Sequence, residues 1–287
     1  MSVILPAYLP AYEELRKEGI LLPGKARGGR KLKIGLLNLM PLKQMAEIDY
    51  LRLLSYSPLD IELTLVSPAT HRSRNTSAEH IATYYVTPQE ALEKGLDGMI
   101  VTGAPVEKID FEQVDYWPEL TGLFAELRNR RIPTLYICWG ALAGLYYHHA
   151  VPKQIFTRKI SGVYPHRIVN QSYMLRGMDD KFYVPHSRYS GVDREDVTKA
   201  VGLRLIAESD QSGVYMAESE DFPAVYVTGH SEYSPLTLDF EYHRDMAKGI
   251  NPEIPSNYYP DDDPDKEPMV LWRSHAHLLF SNWLNQL

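Results

Sequence analysis

The chain has one cysteine, Cys138, and it stands where a nucleophile would. It closes an apolar run at residues 134–138 and is followed by Trp139, Gly140, Ala141 and, one residue on, Ala143. A sharp strand-to-helix turn needs small residues, so that the side chain at its apex stands clear and the next amides can reach an oxyanion. Gly140 and Ala141 meet that need. A helix starting there would also turn its positive end toward the sulfur and favour the thiolate. A lone cysteine is more commonly a small buried apolar residue, and it is the place at a strand tip that sets Cys138 apart.

A second group of chemical residues, Gly229-His230-Ser231-Glu232, follows the apolar run 224–228. In extended chain, positions two apart project to the same side. Glu232 can then hold one imidazole nitrogen of His230 while the other faces Cys138. A histidine ending a strand is otherwise often a hydrogen-bonded core residue. Together the three make a candidate Cys-His-Glu triad.

These residues need a scaffold, and the pattern around them supplies one. Residues 1–31 are rich in Pro, Gly, Lys and Arg and read as an N-terminal arm ending at Gly28-Gly29. Residues 32–287 then read as a single α/β domain. Runs at 32–38, 61–66, 98–102, 134–138 and 224–228 have strand character, and helical spacing is seen at 42–54, from 88, at 117–128 and from about 140 to 147. Strands apolar on both faces that alternate with helices predict a doubly wound, mostly parallel sheet flanked by helices. Residues 151–215 are less regular, and substrate loops with some antiparallel strands are expected there. A polar stretch at 251–268 precedes an amphipathic closing segment at 270–284.

Composition narrows the class further. With 44% hydrophobic and 23% charged residues the chain is globular rather than disordered. Its net charge of -7 is not gathered into blocks, so no nucleic-acid partner is expected. No apolar run of about 18 residues is present to span a membrane. Pro6 and Pro10 break the mildly apolar N-terminus, which lacks a basic leader, so no signal peptide is expected. One cysteine makes no internal disulfide. A cytoplasmic enzyme is the expectation.

The spaced motifs along nearly the whole chain resemble one family, the homoserine O-acyltransferases related to class I glutamine amidotransferases. They are Asn38-Leu39-Met40-Pro41, His71-Arg72-Ser73-Arg74-Asn75-Thr76 leading to His80, Thr102-Gly103-Ala104-Pro105, Ile137-Cys138-Trp139-Gly140, Ser161-Gly162-Val163, Pro185-His186-Ser187-Arg188-Tyr189, Gly229-His230-Ser231-Glu232-Tyr233 and Trp272-Arg273-Ser274-His275-Ala276. The amidotransferases carry a glycine two residues before the nucleophile, where this chain has Tyr136. That difference favours the transferase branch.

The resemblance implies a role for each matched residue. Cys138 would be the acyl-thioester nucleophile, His230 the general base and Glu232 its orienting partner. Lys159, Ser187 and Arg244 fall on substrate-contacting positions, and a guanidinium fork such as that of Arg244 suits the α-carboxylate of homoserine. Taken alone, Lys159 and Arg244 would read as solvated surface charges. The implied reaction is ping-pong: the thiolate takes the acyl group from an acyl-CoA, and His230 then deprotonates the L-homoserine hydroxyl to accept it. No metal or resident cofactor is expected, since acetyl-CoA would be a co-substrate, and a homodimer is implied.

The donor turns on Glu107, which follows Thr-Gly-Ala-Pro-Val. The resemblance implies glycine there in succinyl users and glutamate in acetyl users. A glutamate would fill the space of a longer chain and repel the free carboxylate of a succinyl group. Two like charges about 4 Å apart cost about 4 kcal/mol at an effective dielectric near 20, nearly a thousandfold before screening. Acetyl is therefore the expected group, with succinyl the alternative. A glutamine amidotransferase-like hydrolase or a non-catalytic binding protein would use the same fold. His148-His149, His275 and His277 are poorly spaced for a metal, with the first pair expected at the surface or an interface, and Asp261-Asp262-Asp263 reads as a solvated loop.

Overall fold

A computed structural model describes residues 2–4, 9–20, 31–71, 73 and 75–287. In chain order its first half runs β1 (Ser2–Ile4), α1 (Ala11–Lys17), β2 (Lys31–Leu37), α2 (Lys43–Leu54), β3 (Asp60–Val66), α3 (Ala78–Tyr84), β4 (Tyr85–Val86), α4 (Pro88–Glu93), β5 (Gly98–Val101), α5 (Trp117–Asn129), β6 (Thr134–Ile137) and α6 (Trp139–His149). The second half runs β7 (Gln154–Ile168), β8 (Lys181–Gly191), α7 (Arg194–Lys199), β9 (Leu203–Ser209), β10 (Gly213–Ser219), β11 (Ala224–Val227), α8 (Thr237–Ala247) and α9 (Arg273–Leu284).

The described strands form one sheet in the order β3-β2-β5-β6-β11-β10-β9-β7-β8, with β1 and β4 both on the outer edge of β3. Strands β1 to β6 and β11 run parallel, and β7 to β10 continue the sheet antiparallel. Every residue of β5 and of β6 is buried, as a strand covered on both faces requires. Alternate residues divide between two cores. Ile100, Leu135 and Ile137 pack on one face with Tyr50, Leu51, Phe280 and Trp283 from α2 and α9, while Met99, Val101 and Tyr136 pack on the other with Leu123, Phe124 and Leu142 from α5 and α6. Local chemistry sets element starts as well, as at α4, where Thr87 and Glu90 close a capping box around Pro88.

One expectation changes. The described part of residues 1–31 is no arm: β1 pairs with β3, α1 buries Leu15 against α2, and Glu18 meets Arg52 at 2.7 Å. A three-residue strand and a seven-residue helix are too short to show periodicity. The rest of that segment, residues 1, 5–8 and 21–30, lies outside the described residues, as do Arg72 and Arg74. Within residues 151–215, where loops and antiparallel strands are expected, Gln154–Ile168 and Lys181–Gly191 form the long antiparallel pair β7 and β8, with a register shift between Ile155 and Ile160. The amide of His230 donates to the carbonyl of Pro185 at 2.8 Å, which brings β8 against the end of β11.

Candidate active site

Cys138 sits between β6 and α6 with φ 51° and ψ −117°. Such a backbone is costly for a residue with a Cβ and is a feature of functional turns. The surroundings hold it there: its N–H donates to the carbonyl of Val227 at 2.7 Å, and its carbonyl accepts from the Leu142 amide at 3.1 Å. Gly140 makes the turn possible, because a Cβ at that position would lie 2.6 Å from the carbonyl oxygen of Thr102. Among the described residues no side chain caps the start of α6.

His230 converges on the same point from the end of β11. A Cβ placed on Gly103 would lie 3.2 Å from the Cβ of Cys138 and 3.5 Å from Cε1 of His230. Nδ1 of His230 meets Oε1 of Glu232 at 2.6 Å, and both residues are buried. With Nδ1 engaged, Nε2 is left for the Cys138 sulfur, whose charge acts on the ring. The pairing is made differently from the expected one. Residues 230–233 form a turn closed by the Tyr233 amide on the His230 carbonyl (3.3 Å), so Glu232 folds back onto the ring instead of projecting in parallel from a strand.

Burial alone would push the His230 imidazole down, but Cys138 and then Glu232 outweigh it and hold it well above its ordinary value. Tyr233 stacks on the ring with centroids 4.2 Å apart, and its carbonyl accepts from Nε1 of Trp272 at 3.1 Å.

A second polar cluster adjoins the triad through Tyr233. Oε2 of Glu241, on α8, accepts from Lys159 Nζ at 3.0 Å and from Ser187 Oγ, while its Oε1 accepts from the Tyr233 hydroxyl at 3.3 Å. Lys159 also lies 3.8 Å from Asp245, and Arg244 turns its guanidinium to Asp245 at 2.8 Å, half-exposed. Lys159, Ser187 and Arg244 thus all bear on two acids of one helix. Sequence reading missed α8 and Glu241, because that helix buries only Thr237, Leu238 and Asp245 and shows no apolar stripe.

Glu107, half-buried on the loop after β5, reaches β8: its Oε1 accepts from the Tyr189 amide at 3.1 Å and the Ser190 hydroxyl at 3.4 Å. Burial pushes its carboxyl up, against the Tyr189 amide and the charges of His230, Arg188 and Lys159. His148, expected with His149 at the surface or an interface, is half-buried. It packs beside Phe124 and Phe222, meets the Tyr136 hydroxyl at 3.2 Å and is pushed by burial to about 3. Among the described residues no helix is long and apolar enough to cross a membrane.

The site combines a sulfur at a strained turn, an imidazole and a carboxylate in series, and beside them a paired ammonium and carboxylate. A model of the homoserine O-succinyltransferase family matches residues 2–287. The chain belongs to that family. Similar members include proteins named homoserine O-acetyltransferase from Bacteroides fragilis (50% identical over 99% of this chain and 95% of that one), Clostridium novyi (47%, over 99% and 96%) and Thermotoga petrophila (46%, over 99% and 95%). The family fold extends to more distant solved structures. A glutamine amidotransferase of Thermotoga maritima superposes with TM-score 0.59 at 12% identity, covering 89% of this chain and 96% of that one. One from Methylobacillus flagellatus gives 0.55 at 14% identity, covering 90% and 95%. Likeness at those identities is of fold alone, and it agrees with the α/β architecture expected for this family member.

Proposed function

We propose that this family member transfers an acetyl group from acetyl-CoA to the hydroxyl of L-homoserine, giving O-acetyl-L-homoserine for methionine biosynthesis, with Cys138 carrying the group between them. The observation that carries the reading is the series Glu232–His230–Cys138 at the tip of β6, in a chain half identical to proteins named homoserine O-acetyltransferase.

The steps follow from the charges. The Cys138 thiolate attacks the thioester carbonyl while the uncapped amides at the start of α6 stabilise the oxyanion. The carbon–sulfur bond to coenzyme A breaks, and His230 gives its proton to the departing thiolate. Homoserine then binds, and His230 takes the proton of its hydroxyl as the oxygen attacks the acyl-enzyme, releasing ester and thiolate. Glu232 orients the ring and stabilises its cation in both halves. Homoserine brings one carboxylate and one ammonium, and the cluster offers both complements: Lys159 and Arg244 as cations, Glu241 and Asp245 as anions, with Ser187 as a neutral donor. The reaction uses acetyl-CoA as co-substrate and calls for no resident metal or cofactor. A cytoplasmic homodimer completes the reading, on the family resemblance.

Glu107 supports acetyl over succinyl, because a half-buried carboxylate excludes a second one. The test is mass spectrometry of the protein mixed with acetyl-CoA alone. One acetyl group on Cys138, passed on when homoserine is added, is the expected result. Turnover without that adduct, or release of acetate independent of homoserine, would replace this reading with a hydrolase or a direct-transfer enzyme.

A further inference from the structure

Arg188 is 2% exposed, and the hydrogen-bond partners of its guanidinium are all neutral. Nε donates to Nδ1 of His186 at 3.1 Å, Nη1 to the carbonyl of Ser190 at 2.6 Å and Nη2 to the carbonyl of Ser212. Phe156 lies under the guanidinium at 5.4 Å, and Gly191 leaves room for it, since a Cβ there would fall 2.6 Å from Nη1. A cation buried without an adjoining carboxylate is expensive. The charge is therefore maintained by its surroundings.

Those surroundings fix two protons. A guanidinium only donates, so Nδ1 of His186 accepts and the proton of that ring sits on Nε2. Nε2 faces Nε2 of His166 at 3.1 Å, and Nδ1 of His166 meets the carbonyl of Tyr164 at 2.9 Å. The His166 proton therefore lies on Nδ1 and its Nε2 accepts, with the Ser212 hydroxyl 3.2 Å from the same atom. Any other arrangement leaves one ring without a proton or one carbonyl without a donor. Both rings are neutral, and burial keeps them so, pushing His166 to about 3 and His186 well below its ordinary value.

The chain ends beside Glu107. Ser190 links the two charges, its carbonyl taking Arg188 and its hydroxyl reaching Glu107, and the intervening Tyr189 gives its amide to the same carboxylate. We propose that Arg188, held in place by His186 and His166, is a fixed charge that helps keep Glu107 an anion, so that two histidines tune the acyl-donor choice without touching substrate. They are positioning residues, and the inference rests on the acyl-transfer reading above. The groups bearing on Glu107 from other elements are His230, Lys159 and Lys153, and Cys138 bears on Arg188.

The test is the ratio of kcat/KM for succinyl-CoA to that for acetyl-CoA. In Arg188→Met and His186→Leu it rises at least about tenfold, as loss of one partly screened like-charge contact allows. In His186→Asn, whose amide oxygen can accept in place of Nδ1, it stays within about threefold of the unaltered value. A fall in both activities with the ratio unchanged would reduce the histidines to packing and overturn the proposal. The unaltered protein gives a second measurement that needs no variant to fold. The ratio rises as pH falls through the ionisation of Glu107, and that dependence vanishes in Glu107→Gln. Titration of His230 as the catalytic base slows both donors, and its charge acts on the ratio only through Glu107, so that effect too drops out in Glu107→Gln. A flat ratio overturns the proposal even where acetyl transfer proceeds, whereas absence of acyl transfer from either donor would instead sink the enzymatic reading on which it rests.

Discussion

Glu232 folds back across a two-residue turn to meet Nδ1 of His230 at 2.6 Å, and its other oxygen, Oε2, is buried with no hydrogen-bond partner among the described residues. One carboxylate oxygen thus serves the ring alone. The hydroxyl of Tyr50, also buried, feels the same charge and is held well above the usual phenol range by burial first and by Glu232 next. A buried carboxylate with one oxygen left unbonded is costly unless its charge is used. Its use here is to hold a proton on His230.

Glu232→Gln tests that use. The amide keeps the shape and loses the charge, so His230 falls back toward its ordinary value. Acyl transfer from donor to enzyme needs the protonated ring, and its alkaline limb therefore moves to lower pH. We expect kcat/KM to fall about 10²- to 10⁴-fold, the range for removing the orienting acid of a triad. Single-turnover acylation followed against pH measures both effects. An unchanged alkaline limb would mean that Glu232 only positions the ring.

Glu241→Gln separates the second cluster from the first. The substitution removes the charge that gathers Lys159 and Ser187, while Tyr233 remains stacked on His230. The KM for homoserine should rise about 10- to 100-fold, as loss of one charge-assisted contact gives. The KM for acetyl-CoA should stay within about threefold. Equal losses for both substrates would place Glu241 in the support of the triad instead.

How much of this was legible in the sequence depends on whether a residue obeys a local rule. Gly98–Val101 and Thr134–Ile137 read as buried strands because they are uniformly apolar, and Cys138 read as an elbow because small residues follow it. His230 and Glu232 read as partners, but a turn and an extended chain both bring positions two apart together, so the turn was hidden. The long strand Gln154–Ile168 carries exposed and half-buried residues on both faces, which erases its alternation. Arg188 broke the rule that charges lie outside, and nothing local announces a guanidinium held by two histidines from neighbouring strands.

Gly140→Ala should show what the elbow depends on. The added methyl would lie 2.6 Å from the Thr102 carbonyl oxygen and 3.0 Å from Val101, both on the strand beside Cys138 or its immediate continuation. Backbone cannot yield as a flexible side chain would, so a cost of about 1–3 kcal/mol is expected. That is a fall in Tm of several degrees for a chain of this size. Activity should drop further than stability does, because relieving the clash moves the start of α6. Full activity at a lowered Tm would show that the turn tolerates the shift.

Lys43 gives a prediction in pH rather than in activity. It is 3% exposed on α2, donates to the carbonyl of Asn38, and has Glu47 one helical turn away, wholly buried between His80 (2.8 Å) and Tyr85 (2.6 Å). Burial lowers Lys43 to about 8 although Glu47 pulls the other way. Its folded value is thus below the ordinary lysine value of about 10.4 that the unfolded chain retains. Below pH 8 both states are protonated, and the folded one bears the full cost of a buried ammonium. Between pH 8 and the unfolded value the folded state has released its proton while the unfolded state has not, so stability rises with pH. Lys43→Met removes this gain. Relative to that variant, the unaltered protein should become more stable by on the order of 2–3 kcal/mol as pH goes from about 7.5 to 10. Urea unfolding of the two proteins at both pH values measures the difference, in which all other titrations cancel, and a difference independent of pH would mean that Lys43 keeps its proton and draws enough on Glu47 to offset its burial.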